Sequence, residues 1–302
     1  MNKKIKSNIV TRRVPFEFPD DIHPHWTPDR PEFAHMWNGL SLTMPYLEPY
    51  LIRTMREGLK RVDDPAVLAD GFAFIAQEGQ HYQVHQRFND MLKNNGYPEL
   101  AEIEKEMEKY YARLSKKSLA HRMAYSAGFE SMTLGATRFI IEERSKNFLN
   151  ADSRVASFWL WHMVEETEHK NCAYDAYQAA CGGYFTRAFG VLHGTWGVFW
   201  PGIKAAALML KKDGLWYNWR SRLNFYKYVA SFLKYVLPYI ARSMMPGHTP
   251  RSEKDSEWVK EWLRSYPSEM TLAEAPLVDT STPAMPVPKM KFIKTEVNHA
   301  VV

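Results

Sequence analysis

Two short strings, Glu78-Gly79-Gln80-His81 and Glu166-Thr167-Glu168-His169, each set a carboxylate and an imidazole three residues apart. On a helix that spacing puts both groups on one face, about one turn apart. One Glu-x-x-His says little, and the chain has a third, Glu32 to His35. The first two differ in their company. Glu48 lies one helical segment before Glu78, and Glu130 lies one helical segment before Glu166. Glu and then Glu-x-x-His, twice over, is the ligand set of a four-helix dinuclear carboxylate centre. Four carboxylates balance the charge of two divalent cations, which is why an interior would hold them together; without metal their burial is costly. Mixed imidazole and carboxylate ligation suits iron or manganese and tolerates zinc. The expected ligands are therefore Glu48, Glu78, His81, Glu130, Glu166 and His169, around two metal ions expected to be iron. Glu78 and Glu166 would bridge, His81 and His169 would cap one ion each, and Glu48 and Glu130 would be terminal.

Any single glutamate is more often a solvated surface group than a ligand. Here the neighbours argue otherwise: Glu78 follows Phe72, Phe74 and Ile75, Glu130 sits between Phe129 and Met132, and Glu166 follows Trp159, Trp161 and Val164. Two more histidines share these faces. His85 lies four residues after His81, and His162 lies four before Glu166. His162 or His85 is a further candidate ligand, or a group that orients one. Glu165 and Glu168 are expected to point elsewhere, into an outer layer or into solvent.

The elements that must position these groups read as helices. Residues 1–30, rich in Pro, Asp and Arg, read as an extended N-terminal arm. A four-helix metal-binding bundle is expected over 31–184. Its first helix runs from Pro31 to about Lys60 with Pro45 as an interior kink. The second starts at Pro65 behind the Asp64 cap and closes at Asn95-Gly96. A charged surface helix over Glu99–Lys117 intervenes. The third core helix spans Ser118 to Asn147, and the fourth runs from an Asp152 or Ser153 cap to Ala180 before Gly182-Gly183. Each expected ligand lies about thirteen to seventeen residues from its turn, so antiparallel neighbours would bring the groups to one level. Glu32 fails that test, since it sits roughly 24 Å along the helix from Glu48, and Glu32 and His35 are read as a chance match.

The fold class is thus all-α, a bundle with a dinuclear site plus additional C-terminal helices. Residues 185–250 read as aromatic, basic helices packed on the bundle, and 251–302 as a short helix and a flexible tail. The 302 residues, 45% hydrophobic, give ample core for this. Net charge is +5, yet 185–250 carries nine basic residues and one acid, Asp213. Phe189–Leu210 is long enough to span a bilayer, but His193, Pro201 and Lys204 favour a buried or interfacial helix. The charge is consistent with an anionic membrane surface or an acidic carrier protein. No nucleic acid is expected, because no binding motif accompanies it. Cys172 and Cys181 stand in no metal or redox spacing, and the first residues show no secretion signal. The expected location is cytoplasmic, with peripheral attachment to the inner face of the membrane as an extension.

Several strings carry a family resemblance: Thr11-Arg12-Arg13 with Phe16-Glu17-Phe18-Pro19, Asn38-Gly39-Leu40-Ser41-Leu42-Thr43 leading to Glu48, Phe74 to His81 and on to His85, and Trp159-Leu160-Trp161-His162 through Glu165 to Lys170. Through them the chain resembles the bacterial, ferritin-like family grouped as "predicted metal-dependent hydrolases", over most of residues 11–250. The stripe His162, Glu166, His169 is also similar to that of di-iron arylamine N-oxygenases. Ferritin-like sites of this pattern usually imply dioxygen chemistry.

The leading functional expectation is a di-iron carboxylate enzyme that oxidises or oxygenates a hydrophobic organic substrate with dioxygen. The alternative is a metal-dependent hydrolase of an ester, amide or phosphoester, using a metal-bridging hydroxide. Metal storage or sensing ranks third. Candidate partners are a small hydrophobic or acyl substrate, an electron donor, and the anionic surface or carrier named above. A homodimer is compatible with the sequence.

Overall fold

The chain's strongest start signal works as physics requires. Asp64 accepts a hydrogen bond from Ala66 N at 2.8 Å, Pro65 fills the first turn where no N–H is needed, and the helix ends at Asn94, before Gly96 at φ 114°. The computed structural model describes residues 7–266 and 271–293, and among them the secondary structure is helical, with two isolated β-bridges and no strand. The all-α expectation holds.

The helices in chain order are α1 (Pro31–Ser41), α2 (Met44–Gly58), α3 (Pro65–Asn94), α4 (Leu100–Leu114), α5 (Leu119–Glu142), α6 (Arg144–Phe148), α7 (Ser153–His169), α8 (Cys172–Ala180), α9 (Tyr184–Lys212), α10 (Trp219–Met244) and α11 (Glu257–Ser265). Helix α2 packs along α3 and against α5, while α5 packs on α7 and α8. Helix α5 is buried along nearly its whole length, as an all-round apolar helix must be. Helices α9 and α10 cover it on the other side and also pack on α1. Backbones meet directly there: a Cβ on Gly128 of α5 would come within 2.3 Å of Gly190 O in α9. A Cβ on Gly39 of α1 would come within 2.2 Å of Gly202 O.

Three expectations need correction. The helix from Pro31 is not continuous to residue 60. It breaks at Leu42 and Thr43, where the Thr43 hydroxyl donates to Leu40 O at 2.8 Å. Pro45 then lies in the first turn of α2, where its missing N–H costs nothing. The interior proline is Pro49, directly after Glu48. The fourth helix likewise ends at His169, and Asn171, a favoured capping type, begins α8.

The third correction concerns the tail. Residues 271–293 lie on the bundle instead of hanging loose. Val278 N donates to Ser157 Oγ at 2.8 Å, Thr280 Oγ1 to Ala151 O at 2.7 Å, and Trp258 Nε1 to Met285 O at 2.8 Å. A side chain of α7, a backbone carbonyl before it and a side chain of α11 supply these partners, so a proline-rich segment docks without a ladder of its own. The rest of the expected tail, 267–270 and 294–302, lies outside the described residues, as do residues 1–6 of the arm. From residue 7 to 30 the arm has no helix but buries Arg12, Phe16, Ile22 and Trp26.

The basic stretch is less free than its composition suggests. Lys204 pairs with Glu106, Lys212 with Glu99 and Arg242 with Glu253, while buried Arg187 donates to the carbonyls of Ser243 and Met245. No helix among the described residues is long and apolar enough to cross a membrane. Cys172 and Cys181 are both free thiols.

Candidate metal centre

Helix α2 presents Glu48, α3 presents Glu78 and His81, α5 presents Glu130, and α7 presents His162, Glu166 and His169 toward one point. None of these seven residues is more than 2% exposed. Within α3 and α7 the intervals of three and four residues stack each set on one helix face. The two oxygens of Glu78 divide between two imidazoles: Oε1 lies 3.1 Å from His169 Nδ1 and Oε2 3.9 Å from His81 Nδ1. Glu166 does the same, with Oε2 3.6 Å from His169 Nδ1 and Oε1 3.6 Å from His81 Nδ1. Glu130 Oε2 lies 4.0 Å from His169 Nδ1. Glu48 Oε1 lies 3.8 Å from His162 Nε2, which is itself 2.8 Å from Glu166 Oε1. All six residues read from the sequence meet here, in four overlapping groups of potential ligands that also take in His162 and His85.

The donor atoms fit metal ions better than one another. Both oxygens of Glu48, Glu78 and Glu130, Oε2 of Glu166, and Nδ1 of His81 and His169 are buried and make no hydrogen bond of good geometry among the described residues. Such orphaned groups are costly in an interior, and so many in one place call for cations. The electrostatics agree. Burial, and then Glu78, Glu166 and Glu130, push the Glu48 carboxyl well above its ordinary range. Burial and then Glu166 do the same to Glu130. Burial would also raise Glu166, but His169 and His162 outweigh it and hold it well below. Burial would lower His169, but Glu166 and Glu78 hold its imidazolium well above the usual range. Burial and then His162 push His81 down to about 3, so its ring is neutral. Protons thus carry the positive charge that two divalent ions would bring.

The outer nitrogens are tied down. His81 Nε2 lies 2.9 Å from Glu165 Oε2, and His169 Nε2 lies 2.7 Å from Gln77 Oε1. Each ring donating outward would turn its Nδ1 lone pair to the centre. Glu165 takes Arg12 Nη1 at 3.2 Å, Arg12 also binds Glu168, and Gln77 Nε2 donates to Glu168 Oε2 at 3.0 Å. One guanidinium therefore links the supports of both imidazoles. Burial pushes the Glu165 carboxyl up to about 7 against the opposing pull of Arg12.

His85 stands behind His162. The Ser41 hydroxyl donates to Asn89 Oδ1 at 2.8 Å, so it must accept from His85 Nδ1 at 2.7 Å. His85 Nε2 then accepts from His162 Nδ1, also at 2.7 Å, which turns His162 Nε2 toward Glu48 and Glu166. By this accounting His162 faces the centre and His85 orients it.

Sequence reasoning missed Arg12 and Gln77, and it left Glu165 as an outer or solvated group although it is fully buried. Arg12 and Gln77 both stood in the strings that carried the family resemblance, but a polar side chain shows no sign of its burial in a single sequence. Glu32 and His35 stay away from the centre, as expected, and His35 faces Asp213 instead.

Comparison with curated proteins and with solved structures gives no match for this chain. Residues 10–254, which include every side chain at the centre, match the family described as "predicted metal-dependent hydrolase", and the chain belongs to that family.

Proposed function

We propose that this protein is a dinuclear metal-dependent enzyme acting on a hydrophobic organic substrate. Glu78 and Glu166 would be shared between two ions, Glu130 and His169 would hold one, and Glu48, His81 and His162 the other. The observation that carries the reading is the set of buried, orphaned donor atoms converging from four helices. A ferritin-like bundle is part of this proposal, supported by the same convergence of α2, α3, α5 and α7. Bound there, the ions would supply Lewis acidity and, if iron, redox chemistry with dioxygen.

The chain's own residues favour oxidation of the substrate. A cavity of about 30 Å³ abuts His162 and is walled mainly by Met44, Phe129, Met132, Trp159 and Phe199. An apolar cavity of that size stays dry and admits a diatomic molecule. Trp159 and Phe129 line this cavity, and Glu165 and Gln77 hold the two imidazoles in place. An electron donor would be the second partner of this reaction. The family description backs a second reading better: hydrolysis of an ester, amide or phosphoester. One comparison separates them. Protein loaded anaerobically with ferrous iron should develop new near-ultraviolet or visible absorption on exposure to air. Spectral silence in air, with zinc-loaded protein cleaving an ester or phosphoester, would establish hydrolysis in its place.

The outer face of α9 supports a docking role at a bilayer surface. Phe185, Phe189, Leu192, Trp196 and Trp200 recur at helical spacing and stand out of the protein, Phe185 being 84% exposed. Aromatic side chains of this kind seat at a membrane interface, and Arg222, Lys227 and Lys234 of α10, which make no ion pair among the described residues, add positive charge to the same segment. In vesicle flotation at low salt the protein should rise with anionic vesicles, and Trp196→Ala with Trp200→Ala should lower the bound fraction. No association with anionic vesicles would remove the bilayer and leave an acidic carrier protein as the partner.

A further inference from the structure

We propose that His25, His35 and Asp213 form a second, mononuclear site for a zinc-class divalent cation, which pins the N-terminal arm to α1 and to the end of α9. The site is independent of the dinuclear centre and of the reaction assigned to it.

Three donor atoms meet from three distant parts of the chain. His25 comes from the arm, His35 from the middle of α1, and Asp213 caps the C-terminus of α9. His25 Nε2 and His35 Nε2 each lie 2.6 Å from Asp213 Oδ2 and 3.1 Å from each other. His35 is fully buried, whereas His25 and Asp213 are 23% and 17% exposed, so one side faces solvent. Asp213 is also the single acid in the basic stretch 185–250.

Hydrogen bonding alone accounts poorly for this geometry. Two ring N–H groups aimed at one oxygen would converge at about 70°, crowding their hydrogens well inside contact distance. If either nitrogen is bare instead, its lone pair faces a carboxylate oxygen at 2.6 Å, which is repulsive. A cation shared by all three atoms removes both conflicts. With bonds of about 2.0 Å, ligand atoms on a tetrahedral zinc stand roughly 3.3 Å apart, close to the 3.1 Å between the two ring nitrogens, while Asp213 Oδ2, at 2.6 Å from each, would draw back by about 0.7 Å. Two imidazoles, one carboxylate and a position open to solvent suit zinc or a neighbouring late first-row ion.

The surroundings are built to hold the carboxylate. Tyr97 donates its hydroxyl to Asp213 at 2.8 Å from Oδ1 and 3.0 Å from Oδ2. Asn38, fixed by Trp26 Nε1 on its oxygen at 2.8 Å and by Pro24 O on its nitrogen at 3.0 Å, lies beside His35. Its Nδ2 lies 3.3 Å from His35 Nδ1, a long hydrogen bond. His23 neighbours the site without joining it: its Nδ1 accepts from the backbone N of His25 at 2.9 Å.

The test is a difference in metal content. Full-length protein, His25→Gln and Asp213→Asn are each dialysed to equilibrium against buffered zinc and assayed for ions per chain. Each variant should hold one ion fewer than the parent, whatever number the dinuclear centre retains. Cobalt-loaded parent should also show a visible absorption component that both variants lack. His25 lies at the surface of the cluster, so this variant is expected to keep the parent's circular dichroism and serves if Asp213→Asn misfolds. Equal zinc content in parent and folded His25→Gln, with identical cobalt spectra, overturns the site.

Discussion

Glu78→Ala and Glu166→Ala are each expected to lose both ions of the proposed dinuclear centre, a larger effect than any other single substitution there. Each of these carboxylates places one oxygen toward His169 and the other toward His81. Removing one therefore strips a ligand from both halves and leaves three carboxylates to balance two divalent ions. Losing even an outer-layer partner costs about 10–100-fold in affinity, and a shared ligand should cost more. The sign of the pH dependence follows from the raised carboxyls of Glu48 and Glu130. In metal-free protein, folding takes up protons at these two groups. The stability they contribute is present below the ordinary carboxyl range and is lost as pH rises through their raised values. Metal-loaded protein keeps them ionised, so the melting-temperature gap between loaded and metal-free protein should widen from pH 5 to pH 8. Removing Glu78 relieves repulsion on Glu48, so metal-free Glu78→Ala should melt no lower than metal-free parent at pH 8. Two ions per chain in both variants would sink the assignment.

Arg12→Met is the second large effect. Arg12 is 1% exposed, pairs with Glu165 and Glu168, and lies over the rings of Trp262 and Tyr266. Removing one partner of a buried ion pair costs about 3–5 kcal/mol, because the remaining carboxyl must stay buried without a counter-ion or take up a proton. Glu165, already pushed up to about 7, loses the group that opposes its burial and becomes neutral near physiological pH. It then supports His81 less well, and affinity of the dinuclear centre should fall by about 10–100-fold. Arg12→Met combined with Glu165→Gln should recover part of the stability, since a neutral amide there needs neither a proton nor a counter-ion. Denaturant unfolding and equilibrium dialysis read both quantities. A single variant within about 1 kcal/mol of the parent, with unchanged metal affinity, would show that the arm merely covers the bundle.

The sequence disclosed what is encoded locally. Three-residue spacing carried Glu78 with His81 and Glu166 with His169, and comparable distances to the turns brought Glu48 and Glu130 to the same level. Asp64 with Pro65 marked the start of α3 because a cap and a proline act within one turn. Contacts between distant segments were not legible. Arg12 looked like part of a charged arm, since its carboxylates lie 153 and 156 residues away. His35 looked accidental because one partner is 10 residues away and the other 178. The lysines of α9 looked free because Glu99 and Glu106 stand on or beside another helix. Proline-rich residues 271–293 looked loose because the groups that hold them belong to α6, α7, α11 and the turns between.

The single guanidinium behind both imidazoles also constrains how the molecule can be made. Arg12 donates to the carbonyl of residue 266, across 254 positions of chain. Closing so long a loop comes at an entropic cost that short helix-to-helix contacts avoid. During synthesis Arg12 thus cannot complete its contacts until residue 266 has followed it. The bundle's helices can pair as neighbours long before then. The arm, which precedes the bundle, closes only after the bundle's helices can pair, and the support for His81 and His169 is finished only when residue 266 arrives.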